Sequence, residues 1–223
     1  MKIGFIGAGF IARALAGHLI RNGHQVMISN SRDAKSLRSA AVALNCQVGT
    51  AKEAAQFGDI VVLAVPASAY KDIPAEPLAG KVVIDIVNYY PDRDGPIPEL
   101  DDGVITTSQL IARSLPGAVV VKAFNAIMAN DLQRDGKPAG ASDRRALPVA
   151  SDDAQAKKLI MALVDECGFD PVDAGTLADS WKFERARPAY CVPLDSQQLQ
   201  KTLASTKRTD FVSEYSWRNN TNA

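Results

Sequence analysis

Apolar residues recur along this chain in short runs that alternate with helically spaced ones. Residues 2–6, KIGFI, form one run; Ile11, Leu15 and Leu19 then repeat at helical spacing until Asn22-Gly23, a pair suited to end a helix. This predicts strand, turn and helix in that order. Residues 25–29 predict a second strand, and the alanine- and leucine-rich residues 33–44 a second helix. Thr50-Ala51-Lys52-Glu53 has the form of a capping box, in which the Thr hydroxyl and Glu carboxylate satisfy first-turn amides, so a further helix should start there. Residues 60–65, IVVLAV, are apolar at every position, as a strand covered on both faces requires. Residues 81–86, 118–122 and 147–150 predict more strands, and residues 108–115 and 153–167 more helices, the last closed by Gly168. The alternation specifies an α/β fold: a Rossmann-type, doubly wound and mostly parallel sheet with a short C-terminal extension.

Residues 88–102, with Pro91, Gly95, Pro96 and Pro98 among acids, read as a surface loop. After Val172 the sheet pattern fades. Residues 1–175 are therefore expected to form the dinucleotide-binding domain, and 176–223 a helical and irregular extension of it. Lysine plus arginine equals aspartate plus glutamate at 25 each, which removes the basic footprint of a nucleic-acid binder and favours a small-molecule partner. Cys46, Cys167 and Cys191 have no metal-ligand spacing and read as buried, reduced thiols of a cytoplasmic chain. Arg13, His18 and patterned glycines break the opening apolar stretch, arguing against a signal peptide, and no window reaches the roughly 18 apolar residues of a membrane helix. No membrane partner is expected.

The chemistry concentrates at two places. Gly7-Ala8-Gly9-Phe10-Ile11-Ala12 matches G-x-G-x-x-A between a predicted strand and helix: Gly7 for the tight turn, Gly9 for approach of a pyrophosphate, Ala12 for helix against sheet. The second strand of such a fold usually ends in a carboxylate that holds the adenosine ribose. Here it ends in Ser29, Asn30, Ser31 and Arg32. A guanidinium and hydroxyls hold a 2′-phosphate where a carboxylate would repel it, so the segment selects NADP(H) over NAD(H), with Lys35 adding longer-range attraction.

At the nicotinamide end the gaps are informative. His18 and His24 lie too far back to reach a reacting carbon, and no tyrosine is followed four residues later by lysine. Four segments should meet there: Gly7 to Ile11, Val65-Pro66-Ala67-Ser68, Asn88-Tyr89-Tyr90, and Lys122-Ala123-Phe124-Asn125. Lys122 is the one cation these segments offer to polarise an acceptor; as the last residue of a strand it could instead pair with a neighbouring acid. A site without an evident acid or base fits hydride transfer between two ring systems.

Taken in order, IGFIGAGFIARALA, SNSRDAKSL, IVVLAVP, VVIDIVN, VVVKAFNAI and GFDPVDAGTLADSW resemble the NADPH-dependent coenzyme F420 reductases (F420-dependent NADP oxidoreductases) and the reductase domain of the six-transmembrane epithelial antigen metalloreductases. The resemblance spans about residues 1–185 and is not matched by the tail KFERARPAYCVPLDSQQLQ. It implies NADP(H) as cofactor, a flavin or deazaflavin as second substrate, and a homodimer. It also implies roles: pyrophosphate at Gly7, Ala8, Gly9, Phe10 and Ile11; the 2′-phosphate at Asn30, Ser31 and Arg32; nicotinamide beside Val65 and Pro66; and the acceptor beside Asn88, Lys122, Ala123 and Asn125, with Lys122 and Asn125 as catalytic candidates. Without membrane helices, haem-linked iron reduction is not expected. Two other readings stay open: reduction of a small carbonyl or imine, and a non-catalytic NADP-binding sensor.

Overall fold

The computed structural model describes residues 1–32 and 34–213. Among these, eight strands form one sheet: β1 (Lys2–Ile6), β2 (Gln25–Ser29), β3 (Gln47–Val48), β4 (Ile60–Leu63), β5 (Val82–Asp85), β6 (Val119–Lys122), β7 (Ala146–Ser151) and β8 (Asp170–Asp173). Their order is β3-β2-β1-β4-β5-β6-β7-β8, and every neighbouring pair is parallel except β6 with β7. The chain turns back between β1 and β4, which opens a crevice above their carboxyl ends. The doubly wound, mostly parallel α/β fold read from the sequence is thus the one observed.

The apolar runs are explained by burial on two faces. Ile60, Val62, Ile84 and Val121 pack on one side with helices α1 (Phe10–Arg21) and α8 (Ala154–Glu166). Val61, Leu63, Val83 and Val120 pack on the other, against α3 (Ala51–Phe57) and α6 (Thr107–Ser114). Each such side chain removed from water contributes about 1.5–3 kcal/mol. Capping boxes at Thr50/Glu53 and Thr106/Gln109 fix where α3 and α6 begin.

Several elements differ from the pattern reading. The stretch from 33 to 44 is a 3-10 turn, Ala34–Leu37, followed by α2 (Arg38–Leu44), and Asp33 lies outside the described residues. The supposed loop 88–102 holds two single-turn helices, α4 (Pro91–Asp94) and α5 (Pro98–Asp101), each opened by a proline whose fixed φ and missing N–H suit the first helical position. β3, β8 and α7 (Ala129–Arg134) are too short to produce a period. β4 ends at Leu63, leaving Val65 and Pro66 in the loop at the crevice.

Beyond β8, a 3-10 helix (Leu177–Phe183) and the residues after it form a strap beside the carboxyl ends of β5 and β6. Asn125 Nδ2 donates to the Phe183 carbonyl at 3.1 Å, and the Cys191 amide donates to the Ala126 carbonyl at 3.2 Å. Leu199 and Leu203 of α9 (Ser196–Ser205) join Phe183, Tyr190 and Cys191 in an apolar cluster with Ala146, Ala150 and Val172 of the sheet. Trp181 has the guanidinium groups of Arg187 and Arg208 at 5.2 and 4.3 Å from its ring centroid. No helix among the described residues is long and apolar enough to cross a membrane.

Candidate dinucleotide site

The two turn glycines have different physical reasons. Gly7 has φ +106° and its amide donates to the Ser29 carbonyl at 3.1 Å; a Cβ there would fall 2.2 Å from the Ala64 carbonyl oxygen. It is required by backbone geometry. Gly9, the residue before α1, has φ −71°, and a Cβ built on it meets nothing within 4 Å. Its hydrogen faces open space, so the position is free for a ligand to approach. No acid occupies the first turn of α1, and Ala12 is fully buried against the sheet. Unpaired first-turn amides and the positive end of the helix dipole are therefore available to an anion.

At the end of β2, Ser29 is buried and donates its hydroxyl to the Phe5 carbonyl at 2.7 Å, a structural bond. Asn30 organises the loop: its Nδ2 donates to Ser36 Oγ at 2.9 Å and its Oδ1 accepts from the Arg32 amide at 3.1 Å. Ser31 and Arg32 are exposed. One cavity of about 580 Å³ is lined by Gly7, Ala8 and Gly9 from the turn, by Asn30, Ser31 and Arg32 from the second strand's loop, and by Val65 and Pro66 from the loop after β4. Eight of the expected cofactor residues thus meet around a single space. Phe10 and Ile11 do not line it, and Phe10 is 85% exposed. Lys35 is exposed and also lies off the lining.

The cavity wall includes residues that the sequence reading missed, notably Arg13 and Asp72. Arg13 lies directly after the G-x-G-x-x-A motif, and its Nε donates to the Ala8 carbonyl at 2.8 Å. Its position directly after the motif was the available signal.

The expected acceptor side is differently built. Lys122 is not open to a ligand: its side chain is 0% exposed, and Nζ donates to Asp85 Oδ2 at 3.2 Å and to the Val87 carbonyl. Asp85 is the register partner of Lys122 across β5 and β6, and it also accepts from Ser108 Oγ at 2.7 Å and from the Val87 amide at 2.8 Å. The lysine completes a buried ion pair. Ala123 is fully buried, and Phe124 follows it in the left-handed region at φ +57°. Asn125 is 3% exposed; its Nδ2 also donates to Asn88 Oδ1 at 3.2 Å, and its buried Oδ1 has no donor among the described residues. Asn88 Nδ2 donates in turn to the Asn125 carbonyl at 2.9 Å. Beside it, the hydroxyls of Tyr90 and Tyr190 are 2.7 Å apart, and burial pushes the Tyr190 phenol far above its ordinary pKa. None of Asn88, Lys122, Ala123 or Asn125 lines the cavity that holds the glycine turn.

Strand order and the strand-turn-helix junction at Gly7 to Ala12 define a Rossmann-type α/β protein. Residues 2–89 match the family model for NADP oxidoreductase, coenzyme F420-dependent, the family that the sequence motifs resemble. It is 31% identical over 201 residues to metalloreductase STEAP3 of Rattus norvegicus, a match covering 86% of this chain and 38% of that protein. The chain therefore spans little more than a third of that relative's length. Among solved structures, it is similar to a hypothetical protein, SMa0349, from Sinorhizobium meliloti (TM-score 0.76, 31% identity, 87% of this chain and 95% of that one). It is also similar to a candidate F420-dependent NADP reductase from Arthrobacter sp. FB24 (TM-score 0.67, 28% identity, 81% of this chain and 87% of that one).

Proposed function

We propose that the chain binds NADP(H) in the cavity above β1, β2 and β4 and exchanges hydride between it and a flavin or deazaflavin ring. The observation that carries the cofactor reading is the joint lining of one cavity by an open Gly9 and by Asn30, Ser31 and Arg32 at the end of β2. In this reading the Gly9 backbone and the α1 amides receive the pyrophosphate, and the Arg32 fork and Ser31 hydroxyl hold the 2′-phosphate. Val65 and Pro66 border the nicotinamide. When bound, the dinucleotide supplies the hydride; the chain orients it and excludes water.

The acceptor reading is supported by the sequestration of Lys122. A carbonyl acquires alkoxide charge that needs a nearby acid, whereas a ring acceptor spreads charge over its own π-system. With Nζ committed to Asp85 and the Val87 carbonyl, Lys122 serves to position β5 against β6 and donates no proton. One observation favours a carbonyl or imine acceptor instead: the hydroxyl pair of Tyr90 and Tyr190, with Asn88 Nδ2 3.5 Å from the Tyr190 oxygen, keeps a protonated phenol near Asn88. Stopped-flow absorbance of NADPH with FMN, a deazaflavin, an aldehyde and a cyclic imine separates the two. The ring acceptors should react fastest, and Tyr190→Phe should change that rate by less than about threefold, against the 10²–10⁴-fold expected of a lost general acid. A preference for aldehyde or imine, with the larger loss in Tyr190→Phe, would establish the second reading. Binding of NADPH without turnover of any acceptor would leave a sensor.

A further inference from the structure

We infer that Arg13 is the side-chain clamp for the dinucleotide pyrophosphate, a contact common to NADP(H) and NAD(H) and separate from the 2′-phosphate site at Arg32. The inference rests on the reading of the cavity as a dinucleotide site and assigns it a second cation. Arg13 lies in the first turns of α1 and is exposed, but its side chain is turned toward the glycine turn. Its Nε donates to the carbonyl of Ala8, so the side chain is folded back over the glycine turn and fixed there by one edge of the guanidinium. That bond leaves the two Nη groups, and neither has a hydrogen-bond or carboxylate partner among the described residues. The side chain lines the same cavity as Gly7, Ala8 and Gly9.

Three features converge at this end of the cavity: a Gly9 position with open space where a Cβ would stand, helix amides without an acidic first turn, and a guanidinium whose orientation is set before any ligand arrives. A planar fork held along one edge presents its remaining N–H groups in the geometry that matches two phosphate oxygens, and little rotamer freedom is left to lose on binding. Arg32, by contrast, is carried on the loop after β2, where the ribose of a bound dinucleotide would arrive. The two arginines thus divide the anionic groups of the cofactor between them.

Isothermal titration of NADPH, NADH and adenosine 2′-monophosphate, which lacks the pyrophosphate, tests this division. Arg13→Gln keeps an amide donor for the Ala8 carbonyl while removing the charge; Arg13→Ala removes both. Both variants should bind NADPH and NADH more weakly by the same factor, roughly 10- to 150-fold, and bind adenosine 2′-monophosphate as the wild type does. Arg32→Ala should show the reverse, losing NADPH and adenosine 2′-monophosphate but not NADH. Undiminished binding of both dinucleotides by Arg13→Gln would overturn the clamp and leave Arg13 a purely structural brace for the turn. Loss of adenosine 2′-monophosphate by the Arg13 variants would overturn it in favour of a 2′-phosphate role. A wild type that binds neither dinucleotide would overturn the cofactor reading itself, and the clamp with it.

Discussion

At the scale of single residues, Gly7 and Gly9 separate the cost of a fold from the needs of a ligand. Gly9→Val places its side chain in empty space at an ordinary φ, so it should fold with a melting temperature close to wild type. It should nevertheless lose NADPH and NADH together, measured by fluorescence titration, because its methyl groups occupy the approach path. Gly7→Val should instead unfold at lower temperature, since its Cβ would meet the Ala64 carbonyl and its φ suits glycine. This part of the site was legible in the sequence because the glycine turn and the Asn30-Ser31-Arg32 segment are each contiguous, and their spacing alone brings them together. The place of Arg13 at the same cavity was not, because it depends on the direction its side chain takes. Lys122 was read correctly as a strand-end cation, but its partner Asp85 stands 37 residues earlier, and only the register of β5 with β6 reveals the pair.

At the scale of elements, that pair holds two central strands at their carboxyl ends. Lys122→Met leaves the buried Asp85 carboxylate without its counter-charge and should cost about 3–5 kcal/mol in urea denaturation. Adding Asp85→Asn should recover a large part of the loss, since the amide oxygen can still accept from the Val87 amide. A second junction, α1 against α7, is expected to respond to pH. His18 is buried, its Nε2 lies 2.5 Å from the Leu132 carbonyl, and desolvation lowers its pKa from the usual 6.5. The folded protein therefore favours the neutral ring, while the unfolded chain takes up a proton below about 6.5, so stability is lost as pH falls through that value. Thermal melts between pH 7.5 and 5.5 should fall more steeply for wild type than for His18→Gln, which can still donate to the Leu132 carbonyl. The helical periodicity around His18 was plain in the sequence; its contact with α7 was not, because six residues carry too little period to announce a helix.

At the scale of the molecule, we expect the strap and α9 to fold with the sheet as one cooperative unit. Ending the chain after Gly175 would uncover Ala146, Ala150 and Val172, remove one of the two acceptors of Asn125 Nδ2 and leave the Ala126 carbonyl without the Cys191 amide. That truncation should aggregate or lose its sharp melting transition, whereas the full chain should unfold in a single urea transition by circular dichroism. A soluble 1–175 fragment with wild-type NADPH affinity would show the extension to be dispensable. The alternation of strands and helices made the sheet readable from the sequence. The strap was unreadable because irregular backbone has no period, and its path is set by individual bonds to the ends of β5 and β6.

The seat of that strap also has an optical signature. Trp181 lies against two guanidinium groups, and a fixed positive charge beside an indole shifts the energy of its excited state. With Trp217, the chain's other tryptophan, replaced by phenylalanine, the emission of the remaining indole becomes a label-free gauge of the strap. A change in its wavelength on addition of an acceptor, absent with NADPH alone, would show that the acceptor is felt at the strap, and its time course could be compared with the bleaching of the reduced cofactor in the same cuvette.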